Sequence, residues 1–281
     1  MVRRQNKSTS SLFMLKQRVF TGAGLIIFAL LLFFVAPKPV FAVVVLAVIF
    51  WSAWEWANLS ALLSKKTRFF YSAGVLILVF PALKWSQLSL LLALLWWCIA
   101  LLAVVSYPRS ATCWAKGVTV RLVAGLFILL PAVVALLTIY NYLGAGLLLS
   151  AMALVWAADI GAYFTGRALG RRKLALAVSP GKSWEGLAGG VMCSMMIGVA
   201  LLHCVFKISV VASLIIAVCV SLVSVLGDLT ESMAKRERGI KDSGHFLPGH
   251  GGILDRLDGV VAGLPIFLLL WQWLSLPLSM S

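Results

Sequence analysis

The sequence predicts an all-α polytopic membrane protein with about nine transmembrane helices, N-terminus cytoplasmic and C-terminus outside. Three observations lead there. Of 281 residues, 62% are hydrophobic and only 12% charged, roughly half the charge of a soluble domain of this size. Apolar windows of about 17–22 residues recur along the chain, each long enough to cross a hydrocarbon core of about 30 Å. Lys and Arg gather in alternate connecting segments rather than in the windows. Lipid offers no partner to a backbone N–H or C=O, so spans of this composition close their hydrogen bonds internally as helices.

The windows fall at approximately 20–36, 40–58, 69–84, 88–106, 121–140, 146–164, 184–204, 208–228 and 259–277. The third is the weakest, because Pro81 and Lys84 crowd its end. With the N-terminus inside, the inner segments are 1–19, 59–68, 107–120, 165–183 and 229–258, and they hold nearly every Lys and Arg. The opposite face keeps Lys38, Lys84 and Lys207. This is the positive-inside pattern, and it sets the orientation. The net charge of +15 therefore calls for topology and anionic lipid headgroups rather than nucleic acid.

Cys98, Cys113, Cys193, Cys204 and Cys219 form no CxxC pair and lie mostly within windows, so they read as buried small apolar residues rather than disulfides or a zinc site. Arg3, Arg4, Lys7, Lys16 and Arg18 before an apolar run imitate a signal peptide. The run leads straight into further spans, so an uncleaved first helix is expected. No linker separates soluble domains, and residues 1–281 are expected to form one membrane domain. Within it, 1–145 reads as scaffold, with tryptophans near span ends, and 146–281 carries the polar chemistry.

Carboxylates mark where that chemistry lies. Eight of nine acidic residues fall between Asp159 and Asp258, and only Glu55 lies outside. Ionisable groups are costly near lipid unless something binds them, so this concentration points to a site. Glu55, near the inner end of the second window, reads as an edge carboxylate paired with a nearby cation. Asp159 stands near the inner end of the sixth window with Tyr163 one turn later on the same face. The following inner loop closes with Ser179-Pro180-Gly181-Lys182-Ser183-Trp184-Glu185-Gly186. Gly181-Lys182-Ser183 imitates a Walker loop, but that spacing needs glycine where Leu176 stands. What remains is a turn at a helix N-terminus, where amides and Lys182 could meet an anion.

The segment 227–259 reads GDLTESMAKRERGIKDSGHFLPGHGGILDRLDG. If the eighth helix continues past Asp228, then Glu231, Ser232 and Lys235 share its face. Asp255 and Asp258 are likewise three apart at the entry to the ninth. Gly244, Pro248, Gly249, Gly251 and Gly252 bend the chain between them, so both helix ends present carboxylates to one cytoplasm-side cleft. Carboxylates without a Cys or His cage suit a hard cation such as Mg2+, which leaves coordination sites to water and substrate phosphates. Lys235, Arg236, Lys241 and Arg256 complement phosphate charge. His250 could donate to a phosphate oxygen or shuttle a proton. The combination outlines phosphoryl or nucleotidyl transfer.

The run Ser232-Met233-Ala234-Lys235-Arg236, then Lys241-Asp242-Ser243-Gly244 and Leu247 through Asp258, resembles the signature of the phosphatidate cytidylyltransferases, or CDP-diacylglycerol synthases. Segments Asp159–Tyr163 and Ser179–Gly190 resemble that family's second marked region, and the N-terminal half agrees in hydropathy and span number. The resemblance implies CTP + phosphatidate → CDP-diacylglycerol + diphosphate, at the cytoplasmic side of a bacterial inner membrane. It implies a homodimer of nine-helix protomers and a Mg2+-dependent site that admits a monovalent cation such as K+. By the same resemblance Asp228 and Asp255 hold the metal. Lys235 and Asp258 join them as catalytic residues. Ser179, Lys182, Ser183, Ser232, Arg236, Lys241, Asp242, His250 and Arg256 bind substrate, with Asp159, Tyr163, Glu185 and Glu231 nearby.

Two rivals differ in chemistry. A CTP-dependent polyprenol or phytol kinase would pass the γ-phosphoryl group to a lipid alcohol. An ion-coupled transporter would place acids near the bilayer midplane in repeated halves, and neither feature shows. The paired-aspartate spacing of CDP-alcohol phosphotransferases is absent.

Overall fold

The structure, a computed structural model, describes residues 24, 27–109, 111, 117–244, 246 and 251–275. Within them, eight helices are long and apolar enough to cross a membrane. They are α1 (Lys38–Leu59), α2 (Lys65–Lys84), α3 (Ser86–Val105), α4 (Val118–Thr138), α5 (Ala145–Leu169), α6 (Trp184–Gly198), α7 (Val210–Arg238) and α8 (Leu254–Leu274). Single π-helical turns, Ile139–Leu143 and Val199–His203, lengthen α4 and α6. The first expected span, 20–36, lies partly outside the described residues, and its described part is helical at 27–34. The chain is thus an all-α multi-pass membrane protein.

The central helix is α8. Its residues from Gly259 to Leu269 are all buried, as expected of a helix surrounded by other helices. Pro265 sits inside it, since neighbouring helices can re-satisfy the backbone groups a proline frees. α2 is the opposite case. Only Ser72, Val75 and Val79 are buried, while Phe69, Phe70, Ile77 and Phe80 are exposed. Most of its surface is left uncovered by the other described helices, and the helix runs on through Pro81 to Lys84.

Small residues bring the functional helices together. An added Cβ at Gly190 of α6 would lie 2.5 Å from the Ala158 carbonyl of α5, so no larger residue fits that crossing. α6 opens with Ser183 as its cap, the hydroxyl accepting the Gly186 amide at 3.1 Å. α7 opens in the same way, Ser209 accepting from the Ala212 amide at 3.1 Å. It closes at Gly239, which is left-handed (φ 68°), with Lys235, Arg236 and Arg238 in the last turn complementing the helix dipole.

Three boundaries differ from those expected. α7 runs ten residues past the 208–228 window, because Glu231 to Arg238 consists of good helix formers that can leave the membrane without breaking the helix. α8 starts at Leu254 rather than 259, so Asp255 and Asp258 are helical. The Ser179–Ser183 segment is not a turn but β2, paired antiparallel with β1 (Lys173–Ala175). The cysteines also depart in part: Cys98 and Cys204 are free and exposed rather than buried, Cys113 lying outside the described residues.

Candidate active site

The extension of α7 creates the first wall of the site. Asp228, Glu231, Ser232 and Lys235 follow one another along a single helix face. The Ser232 hydroxyl donates to Asp228 Oδ1 at 3.1 Å, and Lys235 Nζ stands 3.3 Å from Glu231 Oε1. The second wall is the first turn of α8. Asp255 Oδ1 receives Lys235 Nζ at 2.8 Å, so the same lysine joins both helices. Asp255 Oδ2 accepts the amides of Ser243 (2.9 Å) and Gly252 (2.8 Å). Asp258, a turn further on, accepts from the Gly259 amide at 2.8 Å.

The hairpin supplies the third wall. Lys182 at the end of β2 reaches Asp228 Oδ2 at 2.6 Å. Arg236 fixes the hairpin to α7 by donating from Nε to the Val178 carbonyl at 3.1 Å. Glu185 ties the exit of α5 to the start of α6, its carboxylate accepting the amides of Arg171 (3.1 Å) and Arg172 (3.2 Å). In α5, Tyr163 accepts a bond from Arg167 at 3.1 Å.

A cavity of about 560 Å³ opens between these walls. Asp159, Tyr163 and Arg167 of α5, Lys182 and Ser183 of β2, Asp228 of α7, and Asp255 and Asp258 of α8 line it. The two aspartates expected to act together therefore face one space, although 27 positions separate them. A second, larger groove of about 850 Å³ runs beside it, lined by apolar side chains such as Leu101, Val105, Leu222, Leu226 and Trp273. Leu174, Leu187 and Val225 line both spaces. The charged cavity and the apolar groove share a wall.

Other expected residues sit around rather than in the cavity. Ser232 and Lys235 brace Asp228 and Asp255 from behind. Glu231 is buried beneath Lys235. Ser179 is half-buried at the start of β2, while Lys241, Asp242 and Arg256 are exposed and do not line the cavity. His250 lies outside the described residues.

Glu55 is the residue whose place the sequence did not disclose. It is 3% exposed and, among the described residues, bonds to no cation. Its Oε2 accepts the Ser243 hydroxyl at 2.9 Å and the Leu254 amide at 2.8 Å; its Oε1 accepts the Ile253 amide at 3.1 Å. The expected edge ion pair is replaced by a cap on a distant helix. A signal was present: Trp51, Ser52, Asn58 and Leu59 occupy the helix positions from which a cation could have reached it.

The donor chemistry fits Mg2+. Asp228 and Asp255 offer hard oxygen ligands in the cavity, and each now has a lysine ammonium as counter-charge. Among the described residues no group of three or more His, Cys, Asp or Glu forms a ready cage. Mg2+ is commonly held by one or two carboxylates, with water and substrate phosphate completing the set.

Fold and site together define a polytopic helical membrane enzyme with carboxylates and ammonium groups gathered where helix ends meet. Comparison with known proteins makes the class specific. The profile of the Cytidylyltransferase family matches residues 16–274. A Pseudomonas aeruginosa protein named phosphatidate cytidylyltransferase is 46% identical over 265 residues, covering 92% of this chain and 97% of its own. A Haemophilus influenzae protein of the same name is 40% identical over 280 residues, covering 90% and 97%. The chain belongs to the cytidylyltransferase family.

Proposed function

We propose that this chain is a nucleotidyltransferase that converts CTP and phosphatidate to CDP-diacylglycerol and diphosphate. The observation that carries this is the shared wall between the charged cavity and the apolar groove. One substrate has a phosphate head and acyl tails, the other only a polar body. A charged cavity for phosphates lying against an apolar groove for acyl chains suits both, and the names of the relatives support the same reaction.

The lipid phosphate is ionised at neutral pH and needs no covalent help from the protein. Its oxygen attacks the α-phosphorus of CTP in line. The new P–O bond forms as the bond to the β-phosphate oxygen breaks, and diphosphate leaves with that electron pair. Lys182 and Arg167, which line the cavity, neutralise phosphate charge. Lys235 keeps Asp255 in place from behind. Mg2+, held by Asp228 and Asp255 when bound, would neutralise charge on the triphosphate, and a monovalent cation such as K+ belongs to the same proposal. The site works chiefly by positioning and charge.

The proposal includes a place in the bacterial inner membrane with the cavity open to the cytoplasm, where CTP is dissolved. The basic segments expected inside support that orientation. Pairing of two copies rests on the family resemblance. The test is direct: purified protein in detergent, given CTP, phosphatidate and Mg2+, forms CDP-diacylglycerol and one diphosphate per lipid. Absence of a cytidine-bearing lipid with folded protein would overturn the proposal.

A further inference from the structure

We infer that Glu55, from the scaffold half of the chain, is a positioning residue that holds Asp255 and the start of α8 for the reaction. The inference rests on the proposed function for its kinetic arm only.

The wiring is specific. Ser243 gives its hydroxyl to Glu55 (2.9 Å) and its amide to Asp255 (2.9 Å). Gly252 gives its amide to Asp255 (2.8 Å), and the next two amides, of Ile253 and Leu254, go to Glu55 (3.1 and 2.8 Å). One short strip of backbone is thus held between two carboxylates, one behind it and one in the cavity. Asn58, one turn beyond Glu55, adds a bond to the Ser243 carbonyl at 3.4 Å.

Two independent features show that this clasp is built rather than incidental. The residue preceding α8, Ile253, has no side chain able to cap, and no side-chain cap bond is made there. Glu55 supplies the missing acceptors from a helix some 200 positions earlier, and its negative charge meets the positive end of the α8 dipole. The approach also leaves no space for side chains. A Cβ at Gly244 would meet the Glu55 carboxylate, its carbon 2.8 Å away, and a Cβ at Gly252 would strike Glu55 and the Ser243 hydroxyl. Two of the loop's glycines are therefore required by the closeness of Glu55.

Such a residue touches no substrate. Its effect passes through Ser243 and Gly252 to Asp255, so it should alter turnover more than binding. Glu55→Gln keeps the volume, but turns one acceptor into a donor facing a donor. In purified full-length protein we expect kcat per folded molecule to fall at least about tenfold, with KM for CTP and for phosphatidate within about threefold of wild type. Ser243→Ala should lower kcat less. The double variant should be no worse than Glu55→Gln alone, because both act on one path.

An activity-free arm keeps the inference separate from the functional proposal. Backbone hydrogen exchange at the amides of Ser243, Gly252, Ile253 and Leu254 should rise about tenfold in Glu55→Gln, with the 173–183 hairpin unchanged. Additive kinetic effects, an unchanged kcat, or unchanged exchange at these four amides would each overturn the inference. If the wild-type chain makes no CDP-diacylglycerol, the functional proposal fails and the exchange result alone decides the role of Glu55.

Discussion

Asp228→Asn separates catalysis from folding more cleanly than any other substitution in the site. The wild-type carboxylate has two partners, Lys182 at 2.6 Å and the Ser232 hydroxyl at 3.1 Å. Both charged side chains remain in contact with solvent, Asp228 at 33% and Lys182 at 22% exposure. An ion pair so open contributes about 0.5–1 kcal/mol at most, and asparagine retains an acceptor for Ser232. In a chain of this length that is a melting shift of about 1–2 °C. The chemical effect should be far larger. Removing a carboxylate that would hold the cation which neutralises phosphate charge lowers turnover by about 10²–10³, or roughly 3–4 kcal/mol of barrier. The assay is release of diphosphate dependent on both CTP and phosphatidate, normalised to protein that elutes as a single species. Turnover within about threefold of wild type, with the expected small melting shift, would refute a catalytic role for Asp228.

Asp255→Asn should lose activity as severely, but with a larger stability loss of about 2–3 kcal/mol, because its side chain is 8% exposed and holds a lysine and two amides; thermal melts of the two asparagine variants side by side check the contrast. Lys182→Ala should raise KM for CTP about tenfold while leaving the melting point nearly unchanged, since its only ion pair among the described residues is half-open; steady-state kinetics at varied CTP decides it. Val225→Phe, at the wall shared by groove and cavity, should raise KM for phosphatidate and leave that for CTP unchanged, measured with phosphatidate varied as a surface fraction in mixed micelles. Tyr140→Phe removes one bond to the Ala36 carbonyl (3.0 Å) at a residue that lines neither cavity nor groove and should lower stability by about 1 kcal/mol with full activity.

The fold was legible in the sequence because the bilayer imposes one rule on every span. Window length and basic connecting segments sufficed for eight helices, and Pro81 misled only about the strength of α2. Helix ends were less legible. The windows stopped at hydropathy, whereas α7 continues through Glu231 and Lys235 on propensity and ion pairing, and α8 begins at Leu254 on a cap supplied by another helix. The hairpin escaped notice because β1 is three residues long and its pairing is not local in composition.

The site divides along the same line. Asp228, Asp255 and Asp258 could be grouped from charge and spacing, Asp159, Tyr163, Lys182 and Ser183 joined them through the family resemblance, and all seven line one cavity. Lys235 and Arg236 were expected at phosphates, yet the structure shows one bracing Asp255 and the other anchoring the hairpin. Sequence spacing gives the face on which a side chain sits, but not which of two neighbours it answers. Glu55 needed a contact across 199 positions, which no local pattern contains.

The transfer itself is tested most directly by following two labels of CTP in parallel, one on the α-phosphate and one on the γ-phosphate, with the protein embedded in phosphatidate-containing bilayers. The α label should move into lipid one-for-one with phosphatidate consumed, while the γ label leaves entirely as diphosphate. The γ label appearing in lipid, or neither label doing so, would contradict cytidylyl transfer by this chain.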